Sequence, residues 1–66
     1  MEVDDLQAAY DAFVTVRGKF EDQSIAMIRG DSSDIELLAR LLCEHNAAQR
    51  RFSAIATQIT AEKMNL

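Results

Sequence analysis

Three side chains able to act in catalysis or metal binding follow one another at Cys43, Glu44 and His45. A nucleophilic cysteine needs its base within hydrogen-bonding distance, and a zinc site needs several ligands that converge on one point. Consecutive residues of a helix do not face each other, so these three are not expected to form such a site. The chain also has no phosphate-binding loop and no nucleotide-binding glycine motif. We therefore predict a protein that is not an enzyme, with no cofactor and no metal ion.

The segment Arg29-Gly30-Asp31-Ser32 has the sequence of the cell-attachment tetrapeptide found in integrin ligands. The same residues fit the end of a helix followed by a turn. Gly30 can adopt the left-handed conformation of a residue just beyond a helix, and the cation at Arg29 suits the C-terminal end of the helix dipole. We interpret the segment as a chain reversal, and we do not expect binding to an integrin.

Composition and capping signals predict two helices. The 66 residues include no proline and two glycines, and good helix formers are plentiful. The first helix is predicted over residues ~5–29 with Asp4 as its N-cap, followed by a turn over residues 30–33. Ser33 and Glu36 form a capping box that opens a second helix over residues ~34–61. The predicted fold is all-α: an antiparallel two-helix hairpin that forms one domain over residues 1–66.

Apolar residues repeat every seven positions in both predicted helices, as they do where helices pack side by side. The main rows are Leu6, Phe13, Phe20 and Met27 on the first helix, and Leu38, His45, Phe52 and Ile59 on the second. The rows predicted beside them are Val3, Tyr10, Arg17 and Ser24, and Leu41, Ala48, Ile55 and Glu62. If the chain reverses near residues 32–33, residues that meet across the hairpin have numbers that sum to about 65. Phe13 should then meet Phe52, and Phe20 should meet His45.

The apolar surface is wider than the contact between two helices requires. The additional apolar residues predicted to flank that contact are Val14, Val16, Ile25, Ile28, Leu37, Leu42 and Ala56. Two hairpins packed face to face would bury this stripe as a four-helix bundle, and twofold dimers are the commonest closed oligomers. We therefore expect a homodimer. The alternative is that the stripe receives helices of another protein.

Polar residues on the second helix support two narrower hypotheses. His45 would make the fold sensitive to pH if its neutral ring were buried between the helices; otherwise it is a half-buried histidine whose polar nitrogen reaches water or a polar neighbour. Arg40, Arg50 and Arg51 form a basic flank that could contact the phosphates of RNA or DNA, or could be solvated surface charges. The net charge of −4 argues against broad attraction to nucleic acid.

Two functional classes follow from these patterns. We favour a small protein-interaction module (an adaptor, inhibitor or chaperone-like subunit) because the apolar stripe is a stronger signal than the basic flank. The alternative is a homodimeric four-helix-bundle regulator that contacts RNA or DNA. A cytoplasmic location is expected, because Cys43 is the only cysteine and the acidic start of the chain is unlike a signal peptide. No apolar run approaches the ~18 residues that cross a membrane.

In length and hairpin form the chain resembles two families of small helical proteins. One is the family of dimeric plasmid repressors that bind RNA as four-helix bundles. The other comprises the small helical co-chaperones of type III secretion needle subunits, in which a glycine turn ends the first helix much as the sequence "MIRGD" does here. Both resemblances concern size and architecture, and neither assigns a functional role to a residue of this chain.

Overall fold

The computed structural model describes residues 3–64 as two long α-helices joined by a short turn. Helix α1 spans Val3–Arg29 and helix α2 spans Ile35–Met64, and the two pack against each other along the hairpin. The predicted all-helical hairpin is confirmed, although α2 continues to Met64, beyond the predicted end near residue 61. Helix α1 begins two residues earlier than predicted, so Asp4 is not the N-cap. It lies in the first helical turn, where a carboxylate still interacts favourably with the helix dipole.

The end of α1 is a Schellman turn. Gly30 has a φ of 81°, the left-handed conformation that glycine adopts without a steric penalty. Its amide donates to the carbonyl of Met27 at 3.1 Å, and the amide of Asp31 donates to the carbonyl of Ala26 at 2.8 Å. These bonds satisfy helix carbonyls that otherwise lack a donor. Residues 29–31 are thus part of the chain reversal, as the sequence predicted.

Helix α2 is capped by Asp34, not by Ser33. The amide of Leu37 donates to Asp34 Oδ1 at 3.0 Å, which is the bond of an N-cap side chain to the third helical residue. The prediction of Ser33 as the cap was therefore wrong by one residue. Both residue types cap helices well, and the chain reaches the helical conformation only at Ile35.

A side chain of α1 holds the turn in place. Gln23 Nε2 donates to Ser32 Oγ at 2.9 Å and lies 3.2 Å from the carbonyl oxygen of Asp34. Ser32 Oγ in turn accepts the amide of Asp34 at 3.3 Å. Because Gln23 is half-buried, these bonds link α1 to the start of α2 with limited competition from water.

Aromatic rings fix the register of the two helices. The rings of Phe13 and Phe52 stack with centroids 5.9 Å apart and planes 3° apart. Phe20 and His45 lie with centroids 5.5 Å apart. The residue numbers sum to 65 in both pairs, so the predicted register is confirmed. We call this line of contact between α1 and α2 the seam.

The second seam row on α1 agrees with the prediction only in part: the ring of Tyr10 contacts that of Phe52, with centroids 5.5 Å apart, and Ser24 is half-buried. Ala9 is 1% exposed and Val16 is half-buried, whereas Val3 and Tyr10 are 70% and 45% exposed. The seam of α1 therefore continues through Ala9, Val16 and the half-buried Gln23. A small side chain at Ala9 allows the helix backbones to approach more closely than a tyrosine at the same place would.

The hairpin is long and thin, with extents of 53 × 15 × 14 Å and a radius of gyration of 15.3 Å. A compact chain of this length has a radius of gyration of about 11 Å. Within residues 3–64, only Ala9 and Leu41 are buried. Neither helix in this range is long and apolar enough to cross a membrane. Two helices alone thus give this protein a line of contact but very little enclosed core.

Candidate protein-interaction surface

The exposed large apolar side chains gather on one side of the hairpin. Within residues 3–64 they are Val3, Tyr10, Ile25, Ile28, Ile35, Leu42 and Met64. At 3.6 residues per turn, these residues are rotated by about 60–120° from Phe13 on α1 or Phe52 on α2, all in the same sense. In two antiparallel helices that face each other, the same sense of rotation leads to the same side of the pair. These residues, with the half-buried Val14 and Ala56, form what we call the apolar face.

Exposure on the apolar face is high at both ends of the hairpin, and Met64 and Val3 are 79% and 70% exposed at the end away from the turn. Ile28 is 85% exposed and Ile35 is 67% exposed, and both lie close to the turn. Complete burial of one such side chain contributes about 1.5–3 kcal/mol relative to leaving it in water. The hairpin by itself does not obtain this stabilisation.

The opposite side of the hairpin is polar. The residues rotated by a similar angle in the other sense include Asp5, Lys19, Glu44, Arg51 and Gln58, and all five are exposed. We call this side the charged flank. Because both signs of charge alternate along it, the charged flank has the composition of an ordinary solvated surface.

The stripe predicted from the sequence is divided between three places. Val14, Ile25, Ile28, Leu42 and Ala56 lie on the apolar face. Val16 lies in the seam, and Leu37 lines a shallow groove with Lys19 and Gln23 on the side of the charged flank. The sequence reasoning missed Val3, Tyr10, Ile35 and Met64, whose signal was their shared rotation from the two main rows. That these residues form an interface remains a prediction.

His45 lies in the seam between two rings of α1. Its ring centroid is 5.3 Å from that of Phe13 and 5.5 Å from that of Phe20. The ring is half-buried, and Nδ1 lies 3.5 Å from Asn46 Oδ1. This is the half-buried arrangement that was one of the two alternatives from the sequence, and a pH-sensitive role for His45 stays a prediction.

Arg17 and Glu21 interrupt the apolar face near its middle. Arg17 Nε lies 3.6 Å from Glu21 Oε1, and the two side chains are 45% and 61% exposed. The guanidinium of Arg17 also lies over the ring of Phe13, 5.4 Å from its centroid. An exposed ion pair of this kind contributes little to stability, so its position on the face is of more interest than its strength.

The three arginines of the predicted basic flank are spread along α2. All are exposed, but Arg40 and Arg51 are separated by about 16 Å of helix, and Arg50 is rotated by roughly 80–100° around the helix from both. The three arginines do not form one concentrated basic patch, and contact with nucleic acid stays a prediction.

Cys43 and its neighbours form no cluster. The thiol of Cys43 is exposed. In the described range 3–64, no three His, Cys, Asp or Glu side chains are grouped so that they could hold a metal ion.

No family model, no curated protein and no solved structure matches this chain. The functional interpretation therefore rests on the chemistry of the apolar face.

Proposed function

We propose that this protein is a non-enzymatic interaction module that binds helices of a second chain through the apolar face. The observation that supports this proposal is the collection of exposed apolar side chains on one side of the hairpin, opposite a charged flank. Contiguous apolar patches on otherwise polar surfaces are typical of interaction sites. Two further helices laid on this face would complete a four-helix bundle, which is the usual way for a helical hairpin to bury its second apolar side.

The dimensions of the hairpin support the same proposal. The side of the hairpin that carries the apolar face measures 53 × 15 Å, a projected area of roughly 800 Å², and a stable protein interface takes a similar amount of accessible surface from each partner. The accessible surface is 4993 Å², whereas a compact protein of this mass exposes about 4,200 Å². The excess is again roughly the contribution of one side of an interface. A chain as short as this one commonly depends on association for its stability.

We also propose where in the cell the protein acts. Cys43 is exposed and is the only cysteine of the chain, and such thiols are typical of proteins in reducing compartments. We propose that the module works in the cytoplasm, where its partner would also be found.

A charge placed on the apolar face tests the proposal. Leu42→Arg puts a cation on that face, and Ala47→Arg puts the same cation on the outer surface of α2, where Ala47 is exposed. Solution mass and helicity would be measured over a range of concentrations, together with binding of a dye that fluoresces on apolar surfaces. We expect the wild type and Ala47→Arg to associate or to bind the dye. We expect Leu42→Arg to lose association where the wild type associates, and to bind the dye more weakly than the wild type where the wild type is a monomer. A wild-type monomer that is fully helical and does not bind the dye would contradict the proposal.

A further inference from the structure

We propose that the second chain on the apolar face is another copy of this protein, packed with the two turns at the same end of the bundle. This inference rests on the proposed function, because it names the partner of the same face. The twofold axis then runs parallel to the helices, between the two hairpins. Helix α1 of each copy lies against helix α2 of the other, and every neighbouring pair of helices is antiparallel.

The area and the composition of the apolar face suit a copy of itself. In a twofold dimer both copies use the same surface, so that surface must be complementary to itself. Here its α1 part in one copy must fit the α2 part in the other copy. The apolar face is contributed by both helices, with Tyr10, Val14 and Ile28 on α1 and Ile35 and Leu42 on α2. A single added helix would cover only the groove between them, whereas a second hairpin covers both rows.

The residue pairs across this interface follow from the register of the hairpin. When both turns lie at the same end, residues of α1 and α2 at equal distance from the turn meet between copies, and their numbers again sum to about 65. Ile28 of one copy then lies against Ile35 of the other. Tyr10 of one copy lies against the small side chain of Ala56 of the other. These contacts bury the exposed apolar residues beside the turn and leave space for the tyrosine ring near the open end.

The polar middle of the face is also matched in this arrangement. Arg17 of one copy lies at the level of Gln49 of the other, and Glu21 lies at the level of Asn46. Each charge therefore meets a neutral amide that can act as donor or acceptor, while the ion pair of 3.6 Å within each chain is kept. Burial of charged groups is tolerated only when such partners are present.

The opposite arrangement, with the turns at opposite ends, is disfavoured by Arg17. A twofold axis that crosses the bundle at its middle places α1 of one copy against α1 of the other. A residue at the middle of α1 then lies beside its own symmetry copy. Val16 is at that middle within Val3–Arg29, and its neighbour Arg17 is the residue that reaches the apolar face. Two guanidinium groups, each paired only with Glu21 of its own chain, would then lie side by side in a partly dehydrated interface, where like charges destabilise association.

The distance between the two turns separates these arrangements. Ser33 is exposed and belongs to the turn that connects α1 to α2. A spin label on Ser33→Cys, in a Cys43→Ser background, therefore does not disturb the seam. With the turns together, we expect a distance below about 25 Å, because neighbouring helices of a bundle lie 8–10 Å apart. With the turns at opposite ends, the distance approaches the 53 Å length of the hairpin. A label at Ala61→Cys, an exposed site near the other end of α2, repeats the measurement independently.

Each outcome has a defined meaning when helicity is recorded on the same samples. A short distance at both sites supports the proposal. A distance near the length of the hairpin overturns the orientation, and a helical monomer without a dipolar signal overturns the second copy as the partner. The same labelled protein carrying Leu42→Arg separates the two proposals. If it keeps the short distance, the interface lies elsewhere and the proposed function fails, whereas its dissociation confirms that the apolar face is the interface.

Discussion

The two sides of this hairpin share one seam and one register, yet they differ in what they expose. The apolar face carries Ile28 and Ile35 at 85% and 67% exposure, whereas the charged flank carries Lys19, Glu44 and Arg51 in equivalent positions. The rings of the seam determine how α1 and α2 pair, but they do not determine which residues occupy the apolar face or the charged flank. The residues that pair α1 with α2 therefore differ from the residues exposed on the apolar face, where we propose that a second chain binds.

The largest effect is expected from a charge placed on each side in turn. Ile28→Arg is expected to destabilise the assembled protein by about 2 kcal/mol or more, because an apolar contact is lost and a cation is buried. Ala12→Arg, on the exposed charged flank, should change stability by less than about 0.5 kcal/mol. Thermal unfolding at several protein concentrations measures both, since association makes the melting temperature depend on concentration. Equal losses of stability for the two variants would show that the apolar face is no more buried in the assembled protein than the charged flank.

The next prediction concerns Gln23, the polar side chain that links α1 to the turn. Gln23→Ala removes the bonds to Ser32 Oγ and to the Asp34 carbonyl. We expect a loss of about 1–2 kcal/mol in chemical denaturation, since each such bond contributes about 0.5–1.5 kcal/mol. Gln58→Ala is the matched control, because Gln58 is exposed and its amide lies 3.5 Å from Glu62 Oε1. If both variants lose the same stability, Gln23 has no special role.

Replacement of the helix cap tests where α2 begins. Asp34→Ala removes the acceptor for the amide of Leu37 and is expected to cost about 1 kcal/mol. Ser33→Ala should have almost no effect, although the sequence alone favours Ser33 as the cap. Both variants can be compared by the denaturant midpoint and by helicity. A larger loss for Ser33→Ala would reverse the assignment.

The smallest effect comes from Gly18, at the outer edge of α1 beyond Val14. Apart from its two chain neighbours and the backbone of its own helix, a methyl group there would meet no atom within 4 Å. Gly18→Ala is therefore expected to raise stability by about 0.5–1 kcal/mol through helix propensity. Gly30→Ala should have the opposite sign, because the φ of 81° is unfavourable for alanine. A loss of association in Gly18→Ala would show that the apolar face extends further around α1 than we describe.

The sequence predicted the hairpin and its register because two independent signals agreed. Gly30 marks the end of α1, and the seven-residue rows of Phe13 and Phe52 run at phases that meet only if the chain reverses there. The stacked rings in the structure confirm this pairing.

The sequence did not predict which residues accompany the main row of α1, because two rows have the same spacing. Tyr10 and Ala9 both lie beside Phe13, and apolarity alone ranks the tyrosine higher. Ala9 lies in the seam because two helices approach closely only where the side chains between them are small. A pattern of apolar residues does not reveal this dependence on side-chain size. Tyr10 lies at the border between the seam and the apolar face, with its ring 5.5 Å from that of Phe52 and 45% of its surface exposed. The candidate site could therefore be predicted only in part.

The order of contacts along the seam has a consequence for how the chain folds. Residues nearest the turn are also nearest in sequence, so each new layer closes only a small additional loop on one that is already formed. Proteins built from such contacts fold quickly, and we expect the hairpin to close from the Schellman turn toward the open end like a zipper. Because the layers of the seam follow one another from the turn to the open end, the hairpin could be lengthened at its open end. Seven residues added to the start of α1 and seven to the end of α2 would add a further layer without disturbing any layer closer to Gly30.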